Sequence, residues 1–303
     1  MAPRAAAPEA AGRSLLIVGC GDSGLRLARR WRAAGGGEVL GLRRDTAAMD
    51  ALAERGIRGW SLDLDSDGEL PSFPAVFEDS AALIWLAPPP RQGREDSRLR
   101  HLPALLERLK PRRLVLASTT GVYGPGDAGR WTTEDSAIQP DTDRAQRRVD
   151  AEQRAVTAAE AAGIALARLR IAAIYGPGRL PIGRLQEGRA LSSEMAARPG
   201  NRIHVDDLVE ALFLAALRAP DGAVYNIADG CPAPFGDYLD ACADALGLPR
   251  LPRDDQPVPD PAADFLRAGR RIAADRIRRE LGLVLRFPDY RRGILASLPA
   301  RAG

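Results

Sequence analysis

One stretch constrains this chain more than any other: Ser14-Leu15-Leu16-Ile17-Val18-Gly19-Cys20-Gly21-Asp22-Ser23-Gly24-Leu25, running on to Trp31. Leu15 to Val18 are continuously apolar, which fits a parallel strand buried on both faces. Beyond the glycines, Leu25, Ala28 and Trp31 recur at helical spacing. The order is strand, turn, helix. Gly19, Gly21 and Gly24 match G-x-G-x-x-G: the first allows a tight turn, the second lets backbone approach a pyrophosphate, and the third lets helix pack on strand. Asp22 and Ser23 then lie in the first turn of a helix whose positive dipole end faces any bound phosphate. A plain glycine-rich turn would show the same three glycines, and only the flanking strand and helix favour the dinucleotide reading.

The remaining chain repeats the alternation. Further strands are expected at 38–42, 59–64, 81–87, 113–118, 164–170 and 224–228, about seven in all. Helices are expected over 46–55, 67–79, 94–109 (despite Pro103), 141–162, 204–217, 236–246 and 273–281. Strands alternating with helices, without hairpin signals, predict an α/β fold: a Rossmann-type doubly wound parallel sheet. At 303 residues the chain exceeds one ordinary core, so a small C-terminal cap is expected beside it. The Ala/Pro-rich residues 1–13 read as a disordered tail. The nucleotide-binding domain is assigned to 14–178 and 203–230, and the substrate or cap region to 179–202 and 231–303. A proline-rich linker is expected at 249–261.

Composition removes several functions. The 43 basic residues are offset by 40 acidic ones scattered among them, giving a net charge of +3 and no nucleic-acid footprint. No apolar run approaches the roughly 18–20 residues that cross a membrane. Cys20, Cys231 and Cys242 are odd in number and far apart, which gives neither a disulfide framework nor a metal site and suits a reducing cytoplasm. Lys110 is the single lysine, so chemistry that needs a lysine must use it or do without. Arg43 and Arg44 end the second strand, about 20 residues past the glycines, where a carboxylate would bind the ribose 2′-OH of NAD and an arginine the 2′-phosphate of NADP. The pair therefore reads NADP. A solvated arginine pair is the plainer account, and Asp45 leaves NAD open.

Taken together these segments resemble the extended short-chain dehydrogenase/reductases, and within them an atypical NAD-dependent epimerase/dehydratase-like group. The resemblance covers roughly residues 14–290. It is carried by Gly19 to Gly24, Asp63-Leu64, Trp85-Leu86-Ala87, Ser118-Thr119-Thr120-Gly121-Val122-Tyr123-Gly124, and the runs at 170–178, 203–212 and 225–230. It implies a nicotinamide cofactor held by Gly19, Gly21, Asp22, Ser23, Gly24, Arg43, Arg44, Asp63, Leu64, Ala87, Ser118 and Arg148. It also implies a catalytic hydroxyl, which falls on Thr119, and a Y-x-x-x-K helix motif. Counting back from Glu152, that motif's lysine position holds Arg148 and its tyrosine position Arg144. An arginine at Arg148 still offers charge and hydrogen bonds to a ribose, but arginine cannot shuttle protons. Tyr123 is then the nearest replacement acid, or else a packing tyrosine. Arg170, Arg179, Arg184 and Arg202 could clamp an anionic substrate. The implied function is an NADP(H)-binding oxidoreductase or epimerase acting on a carbonyl or sugar-nucleotide-like small molecule. The alternative is a non-catalytic NADP(H) sensor or scaffold. The oligomeric state is left open.

Overall fold

The computed structural model of the protein describes residues 10–45, 48–68, 70–126, 130–255 and 269–298. Its centre is a seven-stranded parallel sheet of Rossmann type. The strands are β1 Leu15–Val18, β2 Val39–Arg43, β3 Arg58–Ser61, β4 Ala82–Trp85, β5 Arg113–Thr119, β6 Ala165–Ile171 and β7 Ala223–Ile227. Their order is β7-β6-β5-β4-β1-β2-β3. The strand order reverses at β1, which pairs with β2 in one direction (Leu15 opposite Val39) and with β4 in the other (Leu15 opposite Ala82). Such a switch point opens a crevice at the carboxyl ends of the strands. Every residue of β1 and β4 is buried, as strands covered on both faces must be.

The helices are α1 Asp22–Ala33, α2 Ala48–Ala53, α3 Leu102–Leu109, α4 Asp143–Ala162, α5 Ile182–Glu187, α6 Ser193–Ala197, α7 Val205–Arg218, α8 Phe235–Leu246, α9 Arg276–Leu281 and α10 Tyr290–Ala296. On α1, Leu27, Ala28 and Trp31 turn inward. Trp31 is fully buried and meets Phe213 of α7 edge-on at 5.7 Å, while Arg30 lies over the same Phe213 ring and reaches Glu210 with two bonds of 2.6 and 3.0 Å. α3 ends at Lys110, which takes the left-handed conformation (φ 42°) usually left to glycine.

The structure corrects several expectations. Residues 67–79 form no α-helix; among the described residues there is only a short 3-10 turn, Ala75–Phe77, because Pro71 and Pro74 remove backbone donors. The helix expected over 94–109 is two elements, a 3-10 turn Ser97–His101 capped by Asp96 and then α3, with Pro103 in α3's first turn, where a missing N–H costs nothing. Residues 10–13 are not a tail: Gly12 N–H donates to Gly35 O (3.0 Å), Gly37 N–H to Arg13 O (2.8 Å) and the Trp31 indole N–H to Arg13 O (2.9 Å), and Ala10 is buried. Residues 1–9 lie outside the described residues. Within the expected linker, Arg253–Asp254 pair with Leu191–Ser192; residues 256–261 lie outside the described ones.

The chain divides into two compact units. The first runs to Ser118 and adds Gln146–Leu169 and Val209–Tyr225; the second holds Thr119–Ala145, Arg170–Leu208 and the residues from Asn226 onward. The first unit's core gathers Leu16, Val18, Leu40, Leu83, Trp85, Leu102 and Leu116. The second unit's core is built on Tyr175, Tyr238, Leu239, Tyr290 and Ile294.

Candidate dinucleotide site and catalytic hydroxyls

Three glycines with different surroundings make the loop after β1. Gly19 has φ +83°, and a Cβ there would stand 2.6 Å from the Ala87 Cα, so both the turn and the neighbouring strand exclude a side chain. At Gly24 a Cβ would press on Ile17 Cγ2 (3.1 Å) and Cys20 Sγ (3.2 Å), which is the close approach of α1 to β1. Gly21, the N-cap of α1, is different: a Cβ there would meet nothing within 4 Å. Among the described residues nothing forces glycine there, and the open side of the loop is where the G-x-G-x-x-G fingerprint would admit a pyrophosphate. Cys20 packs beneath it, fully buried, and burial pushes its thiol up to about 12 against the opposing pull of Arg43. It stays protonated and chemically quiet.

A cavity of about 180 Å³ opens beside this loop at the carboxyl ends of β1 to β4, lined by Val18, Gly19, Leu42, Arg43, Arg44, Leu62, Asp63, Leu64, Asp65, Ala87, Pro88 and Arg98. Six of the expected cofactor residues thus share one wall system: Gly19, Arg43, Arg44, Asp63, Leu64 and Ala87. Arg43 is half-buried and makes no ion pair or hydrogen bond from its guanidinium with any described residue. Arg44 is exposed and pairs with Asp65 at 3.3 Å. The Asp63 carboxylate accepts the Asp65 N–H (3.0 Å) and so shapes the turn after β3.

Asp65, Pro88 and Arg98 line the same cavity and were not expected there. Arg98 grips Asp65 with two bonds of 2.7 Å and donates to Pro88 O at 2.7 Å, tying the loop after β3 to the loop after β4. The Arg98 hydrogen bonds hold the Asp65 carboxyl below the usual carboxylate range. No sequence spacing marks Arg98 in an arginine-rich chain. The hard stop of β4 at Pro88 was the only local signal of a loop there.

Asp22 and Ser23 open α1, with Asp22 ion-paired to Arg26 at 3.1 Å. Ser118 and Arg148, also of the first unit, stand apart from the cavity lining. The buried Ser118 hydroxyl donates to Glu152 at 2.6 Å, and Arg148 reaches Ala117 O at 3.4 Å, so both brace the end of β5. Near them Asp96 is fully buried; it caps the 3-10 turn, its N–H donates to Asp150 (2.7 Å), and burial raises its carboxyl to about 6 although Arg148 and Arg98 draw it down. Arg144 is exposed.

In the second unit, the half-buried Thr119 accepts the Gly121 N–H at its hydroxyl (3.2 Å), which leaves the hydroxyl proton available to an outside acceptor. Tyr123 is buried; its hydroxyl donates to Asn226 Oδ1 (2.7 Å) and accepts from Arg170 (2.9 Å). Arg170 and Arg202 are buried, Arg202 over the Tyr238 ring at 4.2 Å, while Arg179 and Arg184 are half-buried. Among the described residues no helix is long and apolar enough to cross a membrane.

A Rossmann sheet, a glycine loop at its first strand and a cavity at its switch point give the α/β architecture of the extended short-chain dehydrogenase/reductases. The chain belongs to the NAD dependent epimerase/dehydratase family, whose profile matches residues 15–228. Among solved structures it is similar to a functionally unknown conserved protein from Silicibacter pomeroyi DSS, at 31% identity over 94% of this chain and 97% of that one, with TM-score 0.79. The fold is shared with DesIV, a dTDP-glucose 4,6-dehydratase from Streptomyces venezuelae solved with NAD (20% identity, 94% and 95% covered, TM-score 0.75). It is shared too with the UDP-glucuronic acid 4-epimerase of Bacillus cereus in complex with NAD (16%, 94% and 97%, TM-score 0.74). No curated protein matches the sequence.

Proposed function

We propose that the chain binds NADP(H) and acts as an atypical oxidoreductase or epimerase on a carbonyl or nucleotide-sugar-like small molecule. The observation that carries this reading is the glycine loop and cavity together: among the described residues nothing lies within 4 Å of a Cβ built at Gly21, and the Arg43 guanidinium on the cavity wall has no ion-pair or hydrogen-bond partner. A 2′-phosphate would give that guanidinium charge-assisted hydrogen bonds. The similar folds that hold NAD with a UDP- or dTDP-sugar enzyme support the substrate class. An anionic diphosphate suits a chain whose second unit carries Arg170, Arg179, Arg184 and Arg202. The three described cysteines are free thiols, which supports a reducing cytoplasm.

The nicotinamide supplies or accepts the hydride when bound. The protein's own part is to hold the dinucleotide on the loop of Gly19, Gly21 and Gly24 and to polarise a substrate oxygen through the Thr119 hydroxyl. Arg148 contributes fixed positive charge at the end of β5. Tyr123 would have to break its bond to Asn226 before giving a proton elsewhere, so Thr119 would polarise the substrate oxygen by hydrogen bonding while the proton comes from solvent water. The sensor reading draws on the same observations: Tyr123 is committed, and Arg144 and Arg148 stand at the Tyr and Lys positions.

Titration with both cofactors should show tighter binding of NADP⁺ than NAD⁺, and equal affinity would remove the preference. Oxidation of NADPH against a panel of carbonyl compounds and nucleotide sugars then separates the readings. Turnover that drops at least tenfold in Thr119→Val with cofactor binding kept supports the enzyme. No turnover with any substrate, together with markedly different affinities for NADP⁺ and NADPH, supports the sensor.

A further inference from the structure

Asp65 takes no part in the glycine loop, yet it sits on the cavity wall between two arginines. Arg98 holds it bidentately at 2.7 Å and is itself largely covered, with 18% of its side chain exposed. Arg44 reaches it with a single longer bond of 3.3 Å and is 69% exposed. The two partners are therefore unequal. Planar two-bond pairing is the strong form of this interaction, and a single exposed contact at 3.3 Å is the weak form. The Arg98 pair is also anchored at its far side by Pro88 O, whereas no further hydrogen bond of the Arg44 side chain is recorded among the described residues. An incoming anion would separate Arg44 from Asp65 long before it separated Arg98.

We propose that Asp65 is the specificity residue of the dinucleotide cavity: it serves as a resident counter-ion for Arg44, which a ribose 2′-phosphate must displace and whose charge it must tolerate. The inference rests on the proposal that a dinucleotide occupies this cavity, and concerns which one. NAD, with a neutral 2′-hydroxyl, leaves the Arg44–Asp65 pair in place and gains an acceptor carboxylate on the same wall. NADP gains Arg43 outright but shares Arg44 with Asp65, and its near-dianionic phosphate faces a carboxylate whose Arg98 hydrogen bonds hold it below the usual carboxylate range. The preference for NADP is thereby held below what two arginines alone would give. The same arrangement keeps the two guanidiniums from repelling each other across an empty cavity.

The test is a double-mutant cycle on Asp65 and Arg44, read by direct binding of NADP⁺, NAD⁺ and the fragments adenosine 2′,5′-bisphosphate and 5′-AMP. Asp65→Asn keeps the size of the side chain and an oxygen for Arg98. It should tighten NADP⁺ and adenosine 2′,5′-bisphosphate by roughly fivefold to tenfold, the scale of one charge removed beside a phosphate in water-like dielectric. NAD⁺ and 5′-AMP should weaken or stay within twofold. In an Arg44→Met background, Asp65→Asn should lose more than half of its effect on the 2′-phosphate ligands, because the pair it disrupts is gone. Urea unfolding of each variant checks that Arg98 still holds its loops. An unchanged NADP⁺ to NAD⁺ ratio in Asp65→Asn, or an equal gain with and without Arg44, overturns the counter-ion role while leaving the dinucleotide site standing. A parent protein that binds neither dinucleotide overturns both.

Discussion

Gly19 and Gly21 stand two positions apart and answer to different partners. Gly19 is fixed by the fold itself, through φ +83° and the Ala87 backbone against it. Gly19→Ala should destabilise the protein by about 2 kcal/mol or more, through strain at a positive φ and overpacking. Gly21 has ordinary φ (−85°) and open space at its Cβ position. Gly21→Val should cost only about 1 kcal/mol of urea stability, the loss of a good N-cap residue, and yet abolish measurable cofactor binding in the same titration. A variant that binds as the parent does would remove the loop from the site. The glycines were legible in the sequence because Gly19 and Gly24 serve local backbone and packing needs and Gly21 falls at the fingerprint's fixed spacing between them. Asp65 and Arg98 were not, since their pairing joins the loops after β3 and β4, two strands with β1 and β2 between them in the sheet, and follows only from the strand order. Tyr123 was ambiguous for the same reason: its partners Asn226 and Arg170 are remote in the chain.

Among the elements, the central strands were readable because a strand covered on both faces is a continuous apolar run, as in Leu15 to Val18 and Ala82 to Trp85, whereas the edge strand β3 is only half-buried. The misread segments were those where apolar residues at helical intervals coincide with prolines. In 67–79 the prolines prevail over the pattern, and at Pro103 they only move the start of α3. The short helices α5, α6 and α10 escaped notice because one or two turns show too little periodicity. α1 illustrates what long-range packing adds to a legible helix. Its Trp31 has Phe213 at its edge and Arg13 O on its indole N–H, with no side-chain area exposed. Trp31→Ala should cost about 3–5 kcal/mol by the cavity it leaves and the lost indole hydrogen bond, the Arg13 carbonyl keeping the Gly37 N–H. Trp31→Phe should cost about half as much; urea midpoints for the pair check both.

Over the whole molecule, the described residues of each unit include a buried carboxyl that resists ionisation: Asp96 in the first, raised to about 6, and Asp229 in the second, raised to about 7, both chiefly by burial, with Asp207 of the second raised by burial as well. A carboxyl whose native pKa lies above its unfolded value takes up a proton on folding. Its contribution to stability is full below the unfolded value near 3.8 and is lost as pH rises through 6 to 7. Both units should therefore be more stable at pH 5 than at pH 7.5. Asp96→Asn should remove about 1 kcal/mol and Asp229→Asn about 2–3 kcal/mol of that difference, measured as the shift of the urea midpoint between the two pH values. A difference unchanged in both variants would place the pH sensitivity elsewhere. Lys110, exposed at the left-handed end of α3, has a practical consequence of another kind. It lies just before β5 begins at Arg113, at the amino ends of the strands, whereas the cavity opens at their carboxyl ends. As the one lysine ε-amine in 303 residues, it gives amine-directed reagents a single side-chain target. A chain tethered to a sensor surface there would present its nucleotide cavity to the solution in one orientation, and a lysine-specific protease would cut the unfolded chain into two defined pieces.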